Sequence, residues 1–124
     1  MSDKIYKIAI VDDEQEILNM LSKFFGRNKM YNVTTFTNPI TAIDSIDKSY
    51  DIVLMDIMMP QMNGIDALEK IMEKNKNQKV LMMTAYSTLD KVLKAHKEGA
   101  THYFMKPFDS LQALEHKIKD ILDI

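Results

Sequence analysis

A chain of 124 residues suits a single domain with one respectable core, and 46% apolar with 27% charged residues is the balance of an ordinary globular protein. Its 16 basic and 18 acidic residues leave a net charge of -2 and form no basic block, which argues against a nucleic-acid surface; the absence of cysteine excludes disulfides, thiolate chemistry and zinc–thiolate sites. No apolar run is long enough to span a bilayer and the start, MSDKIYK, is no signal peptide, so the expected location is the cytoplasm.

Two patterns alternate along the chain. The apolar run Ile5–Val11 (IYKIAIV) predicts a buried strand, and the stripe Ile17, Leu18, Leu21, Phe24 and Phe25 predicts a helix after it. Tyr31–Phe36 (YNVTTF) predicts a second strand. Asn38-Pro39 reads as the N-cap and first residue of a second helix, with Ile40, Ile43 and Ile46 as its apolar stripe. Asp51–Met55 (DIVLM) is the third predicted strand; Pro60 and Gly64 shape the turn into a helix carrying Ile65, Leu68, Ile71 and Met72. After a fourth strand at Lys79–Met83 (KVLMM), the capping-box pattern Ser87-x-x-Asp90 opens a shorter helix with Leu89, Val92, Leu93 and His96, ended by Gly99. His102–Met105 (HYFM) is the fifth strand, and Leu111, Leu114, Ile118, Ile121 and Leu122 mark the fifth helix. Five strands alternating with five helices predict an α/β fold: a doubly wound parallel sheet in the order 2-1-3-4-5, covered by helices on both faces. The 11 methionines read as adaptable core filling.

In open parallel sheets the ligand site lies beyond the carboxyl ends of the strands, near the point where the winding reverses. The residues expected just past those ends are Asp12, Asp13 and Glu14 after the first strand, Asp56 after the third, Thr84 after the fourth and Lys106 after the fifth. A single acid at a strand end is most often a turn residue or a helix cap. Polar groups arriving together at four strand ends are better read as a site. Crowded carboxylates raise one another's pKa values, unless a hard divalent cation sits among them and a lysine offsets the remaining charge. His96, His102 and His116 have no metal-ligand spacing and read as surface or packing residues, as does Phe108.

Four segments together carry a family resemblance: IAIVDDE at Ile8–Glu14, IVLMDIMMPQMNG at Ile52–Gly64, MTAY at Met83–Tyr86 and YFMKPF at Tyr103–Phe108. With them, essentially the whole chain resembles a response-regulator receiver domain of two-component signalling. The stand-alone receivers of chemotaxis and of the sporulation phosphorelay are the most similar type. The resemblance implies a signalling protein rather than an enzyme, one that assists its own phosphorylation and dephosphorylation. It implies that Asp56 accepts a phosphoryl group from a phosphohistidine on a histidine kinase or a histidine phosphotransfer protein. Asp12, Asp13, Asp56 and the backbone carbonyl of Met58 would hold Mg2+, with Mn2+ able to substitute. Thr84 and Lys106 would bind phosphoryl oxygens, Thr84 and Tyr103 would form the switch, and Met58 and Tyr86 would tune the phosphoryl lifetime. The Lys106-Pro107 bond would be cis. A downstream protein target would bind the face of the fourth helix, fifth strand and fifth helix, with no direct contact to nucleic acid or membrane.

The chain begins at Met1 and ends just after the last predicted helix without a linker, so one receiver domain over residues 1–124 is expected. The alternative is the receiver piece of a longer regulator with a DNA-binding or enzymatic output domain. Two other classes fit less well. A haloacid-dehalogenase-like phosphatase wants a second acid two residues after its nucleophile, where this chain has Met58. A flavodoxin-like flavin carrier wants a Ser, Thr and Gly-rich loop after the first strand, where this chain has DDEQE.

Overall fold

The computed structural model describes residues 4–85, 97, 102–106 and 110–124, with backbone alone at residues 84 and 85. Its elements, in chain order, are β1 (Tyr6–Val11), α1 (Gln15–Gly26), β2 (Tyr31–Phe36), α2 (Pro39–Ser45), β3 (Ile52–Asp56), α3 (Gly64–Lys74), β4 (Val80–Ala85), β5 (His102–Lys106) and α4 (Leu111–Leu122). Here α4 is the fifth predicted helix. The fourth predicted helix, from Ser87 through His96, lies outside the described residues, as do Tyr86, Gly99, the Lys106-Pro107 bond and Phe108.

The strands form one five-stranded sheet in the order β2-β1-β3-β4-β5, every pair parallel. This is the topology that the alternation of patterns predicts. All five residues of β3 are buried, as befits a central strand covered on both faces. Alternate residues serve different faces. Ala9, Val11, Val53, Met55 and Met82 point into a core layer with Ile65, Leu68 and Ile71 of α3 and Ala42 of α2. Ile8, Ile10, Ile52, Leu54, Leu81 and Met83 point the other way, onto Leu18, Leu21 and Phe25 of α1 and Leu114, Ile118 and Ile121 of α4. On that second face the Tyr31 hydroxyl donates to Glu115 Oε2 at 2.7 Å, tying the start of β2 to α4.

Three helix starts are fixed by side-chain caps. Asn38 Oδ1 accepts from Ile40 N, Asn63 Oδ1 from Ile65 N and Ser110 Oγ from Ala113 N. Glu14, the N-cap of α1, makes no such side-chain bond.

Two expectations are corrected. Three strands run further than the apolar pattern: Asp56 and Lys106 are the last residues of β3 and β5, and Thr84 lies inside β4. The ladder continues through Asp56↔Met83, Thr84↔Met105 and Ala85↔Lys106 because backbone pairing does not depend on side-chain polarity. The second correction concerns α2. Its inward residues are Pro39, Ala42 and, at the C-cap, Ile46, with Ile43 partly buried, while Ile40 is 48% exposed. A seven-residue helix packs by the angle at which it meets its neighbours, and its largest side chains need not face inward.

Candidate functional site

The winding reverses between β1 and β3, neighbours in the sheet. Asp12 and Asp13 follow the end of β1, and Asp56 ends β3, so the three acids meet at that reversal. Asp12 is fully buried and Asp56 only 4% exposed, so both carboxylates are desolvated. One carboxylate oxygen from each of Asp12, Asp13 and Asp56 lies within 4.8 Å of the others, the spacing of ligands around one small cation. Asp12 Oδ1 also accepts from Glu14 N at 2.9 Å, which holds the first of these acids in place.

Lys106, from the edge strand β5, reaches into this group. Its Nζ donates to Asp12 Oδ2 at 2.7 Å and lies 3.4 Å from Asp56 Oδ1 and 3.7 Å from Glu14 Oε1. Burial alone would lower the lysine's pKa; the hydrogen bond to Asp12 and the charges of Asp56, Asp12 and Glu14 outweigh it, and the net direction is up. The ammonium is therefore fixed in its charged form. Asp56 shifts the other way from an ordinary acid. Burial, then the charge of Asp12, push it up to about 7, against the opposing pull of Lys106. A carboxylate this strained toward protonation gains when a cation, or an electrophile, arrives beside it.

The loop after β3 is built around one close approach. Gly64 N donates to Ile57 O at 2.8 Å, and a Cβ on Gly64 would stand 2.0 Å from the Asp56 carbonyl oxygen and 2.7 Å from Ile57 Cα. Only glycine lets the start of α3 lie against the peptide that follows Asp56. Asn63, which caps α3 from inside this loop, was not singled out in the sequence, although an Asn directly before the first helical residue is a usable signal.

The remaining expected residues fall as follows. Thr84 has its backbone one step beyond the Asp56↔Met83 pair, and its side chain is outside the described set. Tyr103 pairs with Met82 in the sheet and is half-buried against the α2–α3 core layer, where burial raises its pKa. Met58 is 54% exposed between the buried Ile57 and Met59. Tyr86 lies outside the described residues. Among the described residues no helix is long and apolar enough to cross a membrane.

A doubly wound parallel sheet with three acids and a part-buried lysine at the winding reversal defines a class of α/β proteins with an acidic site at the carboxyl edge of the sheet. Comparison with known proteins narrows that class. Residues 8–119 match the family model described as the response regulator receiver domain. Sporulation initiation phosphotransferase F of Bacillus subtilis is 36% identical over 104 residues, which cover 83% of each chain. Transcriptional regulatory protein ZraR of Klebsiella oxytoca is 39% identical over 118 residues, 90% of this chain but 26% of that one. The chain thus spans about a quarter of the length of one curated relative and most of the length of the other. A receiver domain protein of Methanospirillum hungatei superposes with a TM-score of 0.86 at 29% identity, over 97% of this chain and 95% of its own. The chain belongs to the response-regulator receiver family of two-component signalling.

Proposed function

We propose that this receiver takes a phosphoryl group from the phosphohistidine of a kinase or a phosphotransfer protein onto Asp56, with Mg2+ held by Asp12, Asp13 and Asp56. The observation that carries this reading is the setting of Asp56: a nearly inaccessible carboxylate at the end of a central strand, 3.4 Å from a lysine ammonium. An all-oxygen donor set with three acids suits a hard cation, so Mg2+ fits the residues present and Mn2+ is a workable substitute. The backbone carbonyl of Met58 is a further ligand in this reading. When bound, the cation neutralises the acids and the equatorial oxygens of the phosphoryl group.

The chain's own residues do the rest. β3, buried along its whole length, holds Asp56 still, and its carboxylate oxygen forms a bond to phosphorus while the phosphorus–nitrogen bond to the donor imidazole breaks. Lys106 moves from Asp12 to a phosphoryl oxygen, and Thr84 donates a hydrogen bond to another. Thr84 thereby vacates space into which Tyr103 turns, a shift of population between two packings. The downstream partner would bind on β5, α4 and the predicted helix before them. Met58 and Tyr86 flank the path of the hydrolytic water and, as a weak acceptor and a bulky ring, lengthen the phosphoryl lifetime.

Incubation with Mg2+ and a phosphorylated histidine phosphotransfer domain tests the reading. One phosphoryl group should pass to the wild type, none should pass when the metal is chelated before mixing, and none should reach Asp56→Asn. Transfer to Asp56→Asn at the wild-type rate would overturn it.

A further inference from the structure

The loop that leaves β3 turns Ile57 and Met59 into the core, at 0% and 8% exposure, and leaves Met58 between them at 54%. This is the most exposed methionine among the described residues, ahead of Met105 at 47% and Met20 at 39%, whereas Met55, Met82 and Met83 are fully buried. It stands two residues from Asp56, in a loop pinned by the Gly64 N to Ile57 O bond and by the contact of Gly64 with the Asp56 carbonyl. The loop therefore fixes the Met58 backbone close to the nucleophile. A thioether in such a place is both reachable by small oxidants and adjacent to the site that it would alter.

We propose that Met58 is an oxidation-sensitive modification site that sets how long the phosphoryl group stays on Asp56, an inference that rests on the function proposed above. The reaction is a two-electron oxygen-atom transfer from a hydroperoxide. A sulfur lone pair attacks the terminal peroxide oxygen, the oxygen–oxygen bond breaks, and the leaving hydroxide or alkoxide takes up a proton as water or alcohol. Sulfur is oxidised to the sulfoxide and the peroxide is reduced. The thioether, a feeble acceptor, becomes a strongly polar acceptor beside the acid cluster. An acceptor there holds a water toward the phosphoryl group, so oxidation shortens the lifetime; reduction of the sulfoxide restores it.

The test treats the purified full chain with dilute hydrogen peroxide, maps oxidised methionines by peptide mass, loads the protein with Mg2+ and acetyl phosphate, and follows loss of the phosphoryl group. The expected result is that Met58 oxidises ahead of the buried methionines and that phosphoryl loss then quickens about fivefold. Methionine sulfoxide reductase should reverse the change. The response should vanish in Met58→Leu and persist in the Met20→Leu, Met105→Leu double variant. An unchanged lifetime in protein carrying the Met58 sulfoxide overturns the inference alone, as does an equal response in Met58→Leu. If untreated protein takes no phosphoryl group at all, the proposed function falls and the inference falls with it.

Discussion

At the scale of single residues, Asp56 and Lys106 are opposed and coupled. The Asp56 carboxyl rises from 3.8 in its ordinary form to about 7, first through burial and then through the charge of Asp12. The linkage sign follows. Below the unfolded value both states are protonated and the acid costs nothing; as pH rises toward the folded value the unfolded chain has already lost its proton, so stability falls, and above it the full penalty remains. Asp56→Asn removes the penalty. Metal-free Asp56→Asn should therefore unfold at higher urea than wild type at pH 8, by on the order of 2 kcal/mol after allowance for screening, and the gap should close at pH 4. Adding Mg2+ at pH 8 should narrow it as well, because the wild type offers the cation three acids and the variant only two. An equal gap at both pH values would contradict this account of Asp56. Lys106 makes a second prediction. Without metal its ammonium occupies the acid cluster and bonds Asp12 at 2.7 Å, so a divalent cation must compete with it. Lys106→Met should bind Mg2+ about tenfold or more tighter by calorimetry, the effect of removing one positive charge about 6 Å from a divalent ion even at a water-like dielectric. Unchanged or weaker binding would show that the lysine does not compete. These acids and this lysine were legible in the sequence because strand-end residues of a parallel sheet must converge. That Lys106 prefers Asp12 to Asp56 was not, since a long side chain's choice among three acids depends on tenths of an ångström.

At the scale of elements, the stretch from Asp56 to Gly64 links the fold to the chemistry. Alanine at the first position of α3 would ordinarily gain up to about 1 kcal/mol in helix propensity over glycine. Here the added Cβ would lie 2.0 Å from the Asp56 carbonyl oxygen, a backbone atom that moves only if β3 moves. The collision outweighs the propensity. Gly64→Ala should lose about 2 kcal/mol of stability in urea and also phosphorylate more slowly, because the displaced peptide carries the nucleophile. A variant as stable as wild type would show that the loop has room to spare. The sequence marks Gly64 as a turn residue but not as the point of closest approach, which only the assembled β3–α3 contact creates. Strand existence and order were legible from continuous apolar runs, whereas strand ends were not: the reading stopped at Met55, Met83 and Met105 because the residues after them include Asp56, Thr84 and Lys106, yet the ladder runs on. For α2 the isoleucine spacing placed Ile43 and Ile46 correctly against the core but also put Ile40 there, which is 48% exposed, and it missed Pro39 and Ala42. Proline and alanine, small and easily overlooked, let the helix sit close to its neighbours.

At the scale of the whole molecule, two core layers share one sheet, and the site sits where that sheet reverses its winding. Tyr103 is half-buried on the α2–α3 side of edge strand β5, and in the proposed function it is where a change at Asp56 would reach the surface. Binding of fluoroberyllate with Mg2+ should move amide signals along β5 and at the start of α4 as well as those of residues 12, 13 and 56–58. Changes confined to the latter group would rule out a switch that propagates. The phosphoryl chemistry turns on Asp56 being the nucleophile, and chemical trapping tests that directly. Wild-type protein phosphorylated in Mg2+ and reduced with borohydride converts an aspartyl phosphate into homoserine, which peptide mass spectrometry locates. The account expects homoserine at position 56 and nowhere else, and none in protein left unphosphorylated. Homoserine at position 12 or 13, or a phosphoryl group that resists borohydride and resides on His116, would contradict it.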